Sequence, residues 1–222
     1  MSHADESSRR FRTARFRKFL VPVLRSVRRT AGRLRILDLG GTAAYWKPLA
    51  DELRDLDAEV RVVNFDTREL DASDGFGGRL TFATGDARAL SFPDRSFDLV
   101  HSNSVIEHVG TWPDMEAMAK EVRRLAPGYF VQVPYFWFPY EVHYRAPFVH
   151  WLPDQLQARL FMRFRLGDSR YATVAGAMRK AQYTRVLDAF QFRALFPDGQ
   201  IARERFAGLT KSLIAVRLPE AG

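Results

Sequence analysis

Short apolar runs alternate along this chain with longer stretches in which apolar residues recur every three to four positions. Residues 35–39, 59–65, 80–83, 97–101 and 129–133 are short and rich in β-branched or aromatic side chains, which predicts five strands. Residues 44–56 place Trp46, Leu49, Ala50, Leu53 and Leu56 on one helical face, with Pro48 suited to a first turn. Residues 111–125 align Met115, Met118, Val122 and Leu125 on one stripe, and Pro127-Gly128 stops the pattern. Residues 153–164 and 184–195 also read as helices. Residues 200–206 and 212–218 read as two last strands, separated by Ala207-Gly208. This alternation predicts an α/β fold with a mostly parallel, doubly wound sheet.

Residues 134–153 break the alternation. They hold four prolines, eight aromatic residues and two histidines, which suits neither a regular helix nor a central strand. The stretch reads as an ordered insertion that continues, with helical pieces, to about residue 200.

Length and composition narrow the class. A chain of 222 residues, 46% of them hydrophobic, is long enough for one domain with a full core. No apolar run approaches the roughly 20 residues that span a bilayer. With no cysteine, disulfides, thiolate metal sites and a cysteine nucleophile are excluded. The formal charge is +8, but residues 9–35 carry eleven Lys and Arg and no acid, while the remainder holds 23 bases against 26 acids. The basicity therefore belongs to an N-terminal arm, residues 1–33, ahead of a domain over 34–222. In the arm Phe11, Phe16, Phe19, Leu20, Val23, Leu24 and Val27 recur at near-helical spacing, which predicts a basic amphipathic helix kinked near Pro22. Its apolar face would pack on the domain or meet an anionic membrane surface or substrate. Nucleic acid ranks last, because no reading motif accompanies the charge. A cleaved signal peptide is not expected, and a cytoplasmic location is, with peripheral contact at an inner membrane surface as the arm's alternative.

The candidate chemistry gathers where strands end. Asp38-Leu39-Gly40-Gly41-Thr42 forms a strand-to-helix turn, where glycine lets backbone approach a ligand. Asp66 closes the second strand 26 residues after Gly40, and an acid there can accept from ribose hydroxyls. Asp86, after Gly85, can accept from an exocyclic amino group while the Ala87 N–H donates to a ring nitrogen. Ser102 and Asn103 end the fourth strand with small polar groups. Singly, each reads as well as a plain turn, a loop acid or a helix cap. In this order, at successive strand ends, they point to a nucleotide-type pocket.

On these residues, and on Thr84-Gly85-Asp86-Ala87 through Phe92-Pro93-Asp94-Arg95-Ser96-Phe97-Asp98 to Ile106-Glu107-His108-Val109, the chain resembles the class I S-adenosylmethionine-dependent methyltransferases, in particular small bacterial members. Gly208 to Ala215 resembles the closing strand pair of that fold. The resemblance implies a Rossmann-like seven-stranded sheet with an antiparallel last strand, and S-adenosylmethionine as cofactor, with S-adenosylhomocysteine as its product. Asp38, Gly40, Gly41, Thr42 and Trp46 would lie at its methionine end, and Asp66 and Thr67 at the ribose. Gly85, Asp86 and Ala87 would read the adenine, and Ser102 and Asn103 would lie near the sulfonium. Thr42 and Ala44 stand where the usual loop has glycines, and the three-glycine dinucleotide signature is absent.

The acceptor side rests on the insertion. His143 is the first choice as a base for an oxygen acceptor, with Glu141 as alternative or partner and His108 as a further candidate. Glu141, His143 and His150 do not show a recognised ligand spacing, so no metal site is expected. Trp137, Tyr140 and Tyr144 would stack on an acceptor or pack as a lid. Residues 159–193 form a second basic zone, which favours an anionic acceptor such as a glycan or lipid intermediate. The expected function is methyl transfer to a small-molecule, glycan or lipid-linked acceptor. The alternatives are a non-catalytic cofactor-binding or membrane-docked module of the same fold, or an RNA methyltransferase.

Overall fold

The structure is a computed structural model and describes residues 15–27, 32–65, 76–167 and 169–219. Its first strands are β1 (Leu34–Leu39), β2 (Ala58–Asn64), β3 (Leu80–Thr84), β4 (Leu99–Asn103) and β5 (Gly128–Pro134). A small hairpin, β6 (Tyr140–Glu141) with β7 (Ala146–Pro147), stands apart, and β8 (Gln200–Phe206) and β9 (Leu209–Arg217) come last. The main sheet has seven strands in the order β3-β2-β1-β4-β5-β9-β8. β1 to β5 are mutually parallel, and β9 runs antiparallel to β5 and β8. The expected doubly wound sheet with an antiparallel last strand is therefore present. The strand order reverses between β1 and β4, so a crevice opens outside their carboxyl ends.

Strand alternation divides the core between two faces. Leu37, Leu39, Val100 and Val131 meet helix α4 (Trp112–Leu125) and α7 (Ala189–Leu195) on one face. Ile36, Val62, Phe130 and Ile214 meet α1 (Val21–Ser26), α2 (Ala43–Trp46) and α3 (Ala50–Asp55) on the other. The insertion builds a satellite core of its own, in which Tyr144 and Phe161 join α5 (Asp154–Arg163) to α6 (Val174–Tyr183).

Two predicted helices are broken, for local reasons. The 44–56 helix divides into α2, a 3-10 turn over Lys47–Leu49, and α3. Pro48 sits in the first turn of that 3-10 segment, and it lacks the N–H a continuous helix would need. The 184–195 helix starts only at Ala189, where Asp188 and Gln191 form a capping box. Before it, Leu187 bridges to Tyr135 and the Arg185 N–H donates to the Glu107 carbonyl at 2.8 Å. α6 lies outside both predicted helical stretches, and Thr173 caps it by accepting from the Gly176 N–H.

The described part of the arm packs on the domain. A π-helical turn over Phe16–Leu20 leads into α1, and Phe16, Leu20, Val21, Leu24 and Val27 are buried against β1, β2 and β5. A helix this short is not stable alone, so its order comes from that burial. Arg15 is buried with it. Its Nε and Nη2 donate to Glu204 at 2.9–3.1 Å, and Nη1 reaches Asn103 Oδ1 at 2.6 Å and Gln132 Oε1 at 2.9 Å. Phe11 lies outside the described residues, and no helix among the described residues is long and apolar enough to cross a membrane.

This network carries a pH dependence. Burial pushes the Glu204 carboxyl up, but hydrogen bonds and charge from Arg15 outweigh it and hold the group below its ordinary value. The stabilisation is thus complete above the unfolded glutamate pKa of about 4.3 and is lost as pH falls through the lower folded value. In urea titrations between neutral and acid pH, Glu204→Gln should be less stable than the parent at neutrality, and the gap should narrow on acidification. A gap independent of pH would contradict this.

Candidate active site

The turn after β1 is built on two glycines that the packing requires. Gly40 has φ +75°, and a Cβ there would lie 2.5 Å from Val105 Cγ2. At Gly41 a Cβ would come within 1.6 Å of Asp38 Oδ2. The Gly40 N–H donates to the Val63 carbonyl at 2.8 Å, and Asn64 Nδ2 donates to the Gly41 carbonyl at 3.2 Å. Thr42 caps α2, its hydroxyl accepting from the Tyr45 N–H at 3.2 Å. Thr42 is thus a helix cap in extended conformation, and the loop takes its positive φ at Gly40 alone.

A first cavity of about 430 Å³ opens beside this turn, lined by Gly40, Asn64, Gly85, Asp86, Ala87 and Ser104 among others. Asp86 accepts from Arg88 Nε and Nη2 at 2.6–3.0 Å, and Arg88 also reaches Asp114 at 2.8 Å. The Arg88 hydrogen bonds hold the Asp86 carboxyl below the usual carboxylate range. The Asp86 side chain keeps 35% of its surface exposed, which leaves it an acceptor site toward the cavity. Asp66 and Thr67 lie outside the described residues.

Three residues expected at the cofactor lie elsewhere. Asp38 is fully buried, with Oδ2 accepting from Trp46 Nε1 at 2.6 Å and Oδ1 from His101 Nδ1 at 2.7 Å. His101 continues to Tyr45 Oη at 2.9 Å and stacks on Phe130. Asp38 is still in register within β1, opposite Val62, so its side chain points into a sheet face rather than over the strand end. It and Trp46 form a satisfied buried polar cluster beneath the turn. Ser102 is likewise buried, its hydroxyl donating to the Leu39 carbonyl at 3.3 Å.

A second cavity of about 300 Å³ adjoins the first and is lined by Arg15, Asn103, Gln132, Glu141, His143 and Lys211, with Ser104 shared between the two. Asn103 therefore faces the second cavity, its Oδ1 held by Arg15. Ser104 has φ +56°, sparsely populated for a side-chain-bearing residue, and its hydroxyl donates to Gln132 Oε1 at 3.0 Å.

The three acceptor-side candidates converge here. Glu141 is buried; its Oε1 accepts from His143 Nδ1 at 2.6 Å, and its Oε2 from the Tyr144 N–H at 2.8 Å. His143 Nε2 lies 3.1 Å from His108 Nε2. Burial opposes charge on both partners of the Glu141–His143 pair, but their mutual attraction prevails, lowering the Glu141 pKa and raising that of His143. Burial and the His143 charge push the His108 pKa down to about 4. His150 is apart from this group, its Nε2 donating to the Phe136 carbonyl at 2.8 Å.

Sequence reasoning missed Arg15, Glu107, Ser104 and Gln132. Gln132 and Ser104 follow the same rule as the other strand ends, so their place at the carboxyl ends of β5 and β4 was available as a signal. Arg15 was hidden among many arginines, and Glu107 in a 3-10 turn, Ile106–His108, that no periodicity marks.

Comparison with known proteins bears on the domain and the fold. Residues 37–130 match the family model described as a methyltransferase domain. Over 102 residues, 43% of this chain, it is 30% identical to the sterol 24-C-methyltransferase erg-4 of Neurospora crassa, and the match spans only 26% of that enzyme's length. The PH0226 protein of Pyrococcus horikoshii OT3 superposes with a TM-score of 0.58 at 19% identity, covering 95% of this chain and 91% of that one. Phosphoethanolamine N-methyltransferase 2 of Haemonchus contortus, solved with S-adenosyl-L-methionine, gives 0.54 at 17% identity, covering 82% of this chain and 37% of that one. Residues 37–130 are thus similar to a methyltransferase domain, and the chain shares its fold with these solved structures.

Proposed function

We propose that the chain transfers a methyl group from S-adenosylmethionine to an oxygen of a small or lipid- or glycan-linked acceptor. The observation that carries this reading is the pair of adjoining cavities that share Ser104 at the switch point of the sheet. A donor in one and an acceptor in the other would meet in line across that residue.

The residues fit the donor. Gly40, without a side chain, lines the first cavity together with Asp86 and Ala87. Asp86 would accept from the adenine amino group, and Asp66 would hold the ribose. When bound, S-adenosylmethionine supplies a methyl group on a positively charged sulfur. The second cavity places Arg15, Lys211 and the Glu141–His143 pair around the acceptor. Arg15 and Lys211 favour an acceptor that carries negative charge, and His143, oriented by Glu141, is placed to take the acceptor proton.

His143→Gln should lower turnover by roughly 10²–10⁴-fold with S-adenosylhomocysteine affinity unchanged, since the ring faces the acceptor cavity. Transfer of labelled methyl to a panel of hydroxyl-bearing anionic acceptors reads the first quantity, and calorimetry the second. Undiminished turnover in this variant would remove His143 from the reaction.

A further inference from the structure

We propose that Glu107, His108 and His143 form a binding site for one divalent first-row transition-metal ion, at the join of the two cavities. The site deepens the proposed methyl transfer by giving the acceptor oxygen a cationic partner, but the binding itself rests on geometry alone.

One ligating atom from each of the three residues lies within 4.8 Å of the others. Two imidazole nitrogens bound to one ion at about 2.1 Å, with an angle between right and tetrahedral, stand roughly 3.0–3.4 Å apart. The observed Nε2 to Nε2 distance of 3.1 Å falls in that interval. Glu107 is fully buried, and neither of its carboxylate oxygens hydrogen-bonds another described residue. An isolated buried carboxylate is costly. A cation between Glu107 and the two rings removes that cost.

The surroundings orient His143 as a metal site requires. Glu141 accepts the Nδ1 proton of His143, which fixes the tautomer whose Nε2 lone pair points at His108. His108 packs against the Tyr183 ring at 5.0 Å, and its buried Nδ1 has no hydrogen-bond partner among the described residues. Two imidazoles and a carboxylate suit zinc, cobalt, iron or manganese rather than calcium or magnesium. His108 opens on the donor cavity and His143 on the acceptor cavity, so the ion has an entry path and an open position toward the acceptor. The spacing considered from sequence joined Glu141, His143 and His150. The fold instead brings Glu107 and His108, from the turn after β4, to His143. With an ion bound, Glu107, His108 and His143 would hold it, and its charge would favour the deprotonated form of an acceptor hydroxyl, whose proton would pass to solvent water.

The test uses the full chain, stripped with chelator and titrated with Co²⁺, then with Zn²⁺ in competition. The proposal expects about one Co²⁺ per chain by elemental analysis, with visible bands displaced by Zn²⁺. Glu107→Gln and His108→Ala should lose the bands, Glu141→Gln should weaken binding roughly tenfold or more, and His150→Ala should bind as the parent does. Thermal melts establish which variants are folded. A folded parent that takes up no Co²⁺, or a folded His108→Ala that retains it, overturns the site. S-adenosylhomocysteine titration of the same stripped sample separates the two readings: cofactor binding without Co²⁺ uptake defeats only the metal, and Co²⁺ uptake without cofactor binding defeats only the methyl transfer.

Discussion

Replacing Arg15 with methionine should destabilise the fold by about 3–5 kcal/mol, the usual result of removing one partner from a buried ion pair. Methionine keeps most of the side-chain stem but none of its donors. The Glu204 carboxylate, 12% exposed, would lose the guanidinium that holds it, and Asn103 and Gln132 would lose the donor that joins the ends of β4 and β5. The effect should reach the proposed acceptor site, because Arg15, Asn103 and Gln132 all line the second cavity. Urea denaturation of Arg15→Met, Glu204→Gln and the double variant measures the coupling. The double variant should be more stable than the sum of single losses predicts. A loss below about 1 kcal/mol in Arg15→Met would show that the pair behaves as a surface contact.

Replacing Asp86 with alanine should weaken binding of S-adenosylhomocysteine by roughly ten- to a hundredfold, the range for a hydrogen bond to a charged group. The fold should persist, because Asp86 is partly exposed and Arg88 keeps its bond to Asp114. Gly40→Ala should act on the same affinity from the other end of the cavity. It combines a side chain at φ +75° with a Cβ 2.5 Å from Val105, so the turn must move away from the ligand space. Unchanged affinity in both variants, measured by calorimetry, would move the donor out of this cavity.

The architecture was largely legible in the sequence because hydrophobic period reports which residues a sheet buries. The five parallel strands, the stripe of α4 and the existence of two last strands follow from that signal, while their antiparallel arrangement was implied only by the resemblance of Gly208 to Ala215. Pro48 divides the 44–56 helix, and residues 184–187 are extended where periodicity continued a helix, since tertiary pairing of Leu187 with Tyr135 outweighs local pattern. Gly40, Gly85, Asp86 and Ala87, singled out at strand ends in the sequence, line one cavity. Asp38 does not, because a residue still paired in β1 points into a sheet face, and one position decides between core and crevice. Trp46 followed Asp38 into the core as its hydrogen-bond partner. The meeting of His108 with Glu141 and His143 across 35 positions, and of Arg15 with Glu204 across 189, is long-range contact that no local spacing encodes.

The central claim is that the cavity beside Gly40 and Asp86 holds the methyl donor. The most direct measurement is calorimetric titration of the folded full chain with S-adenosylhomocysteine. Saturable binding at one site per chain is expected, competed by S-adenosylmethionine and weakened in Asp86→Ala. No heat of binding at millimolar ligand, from a sample shown to be folded, would contradict it.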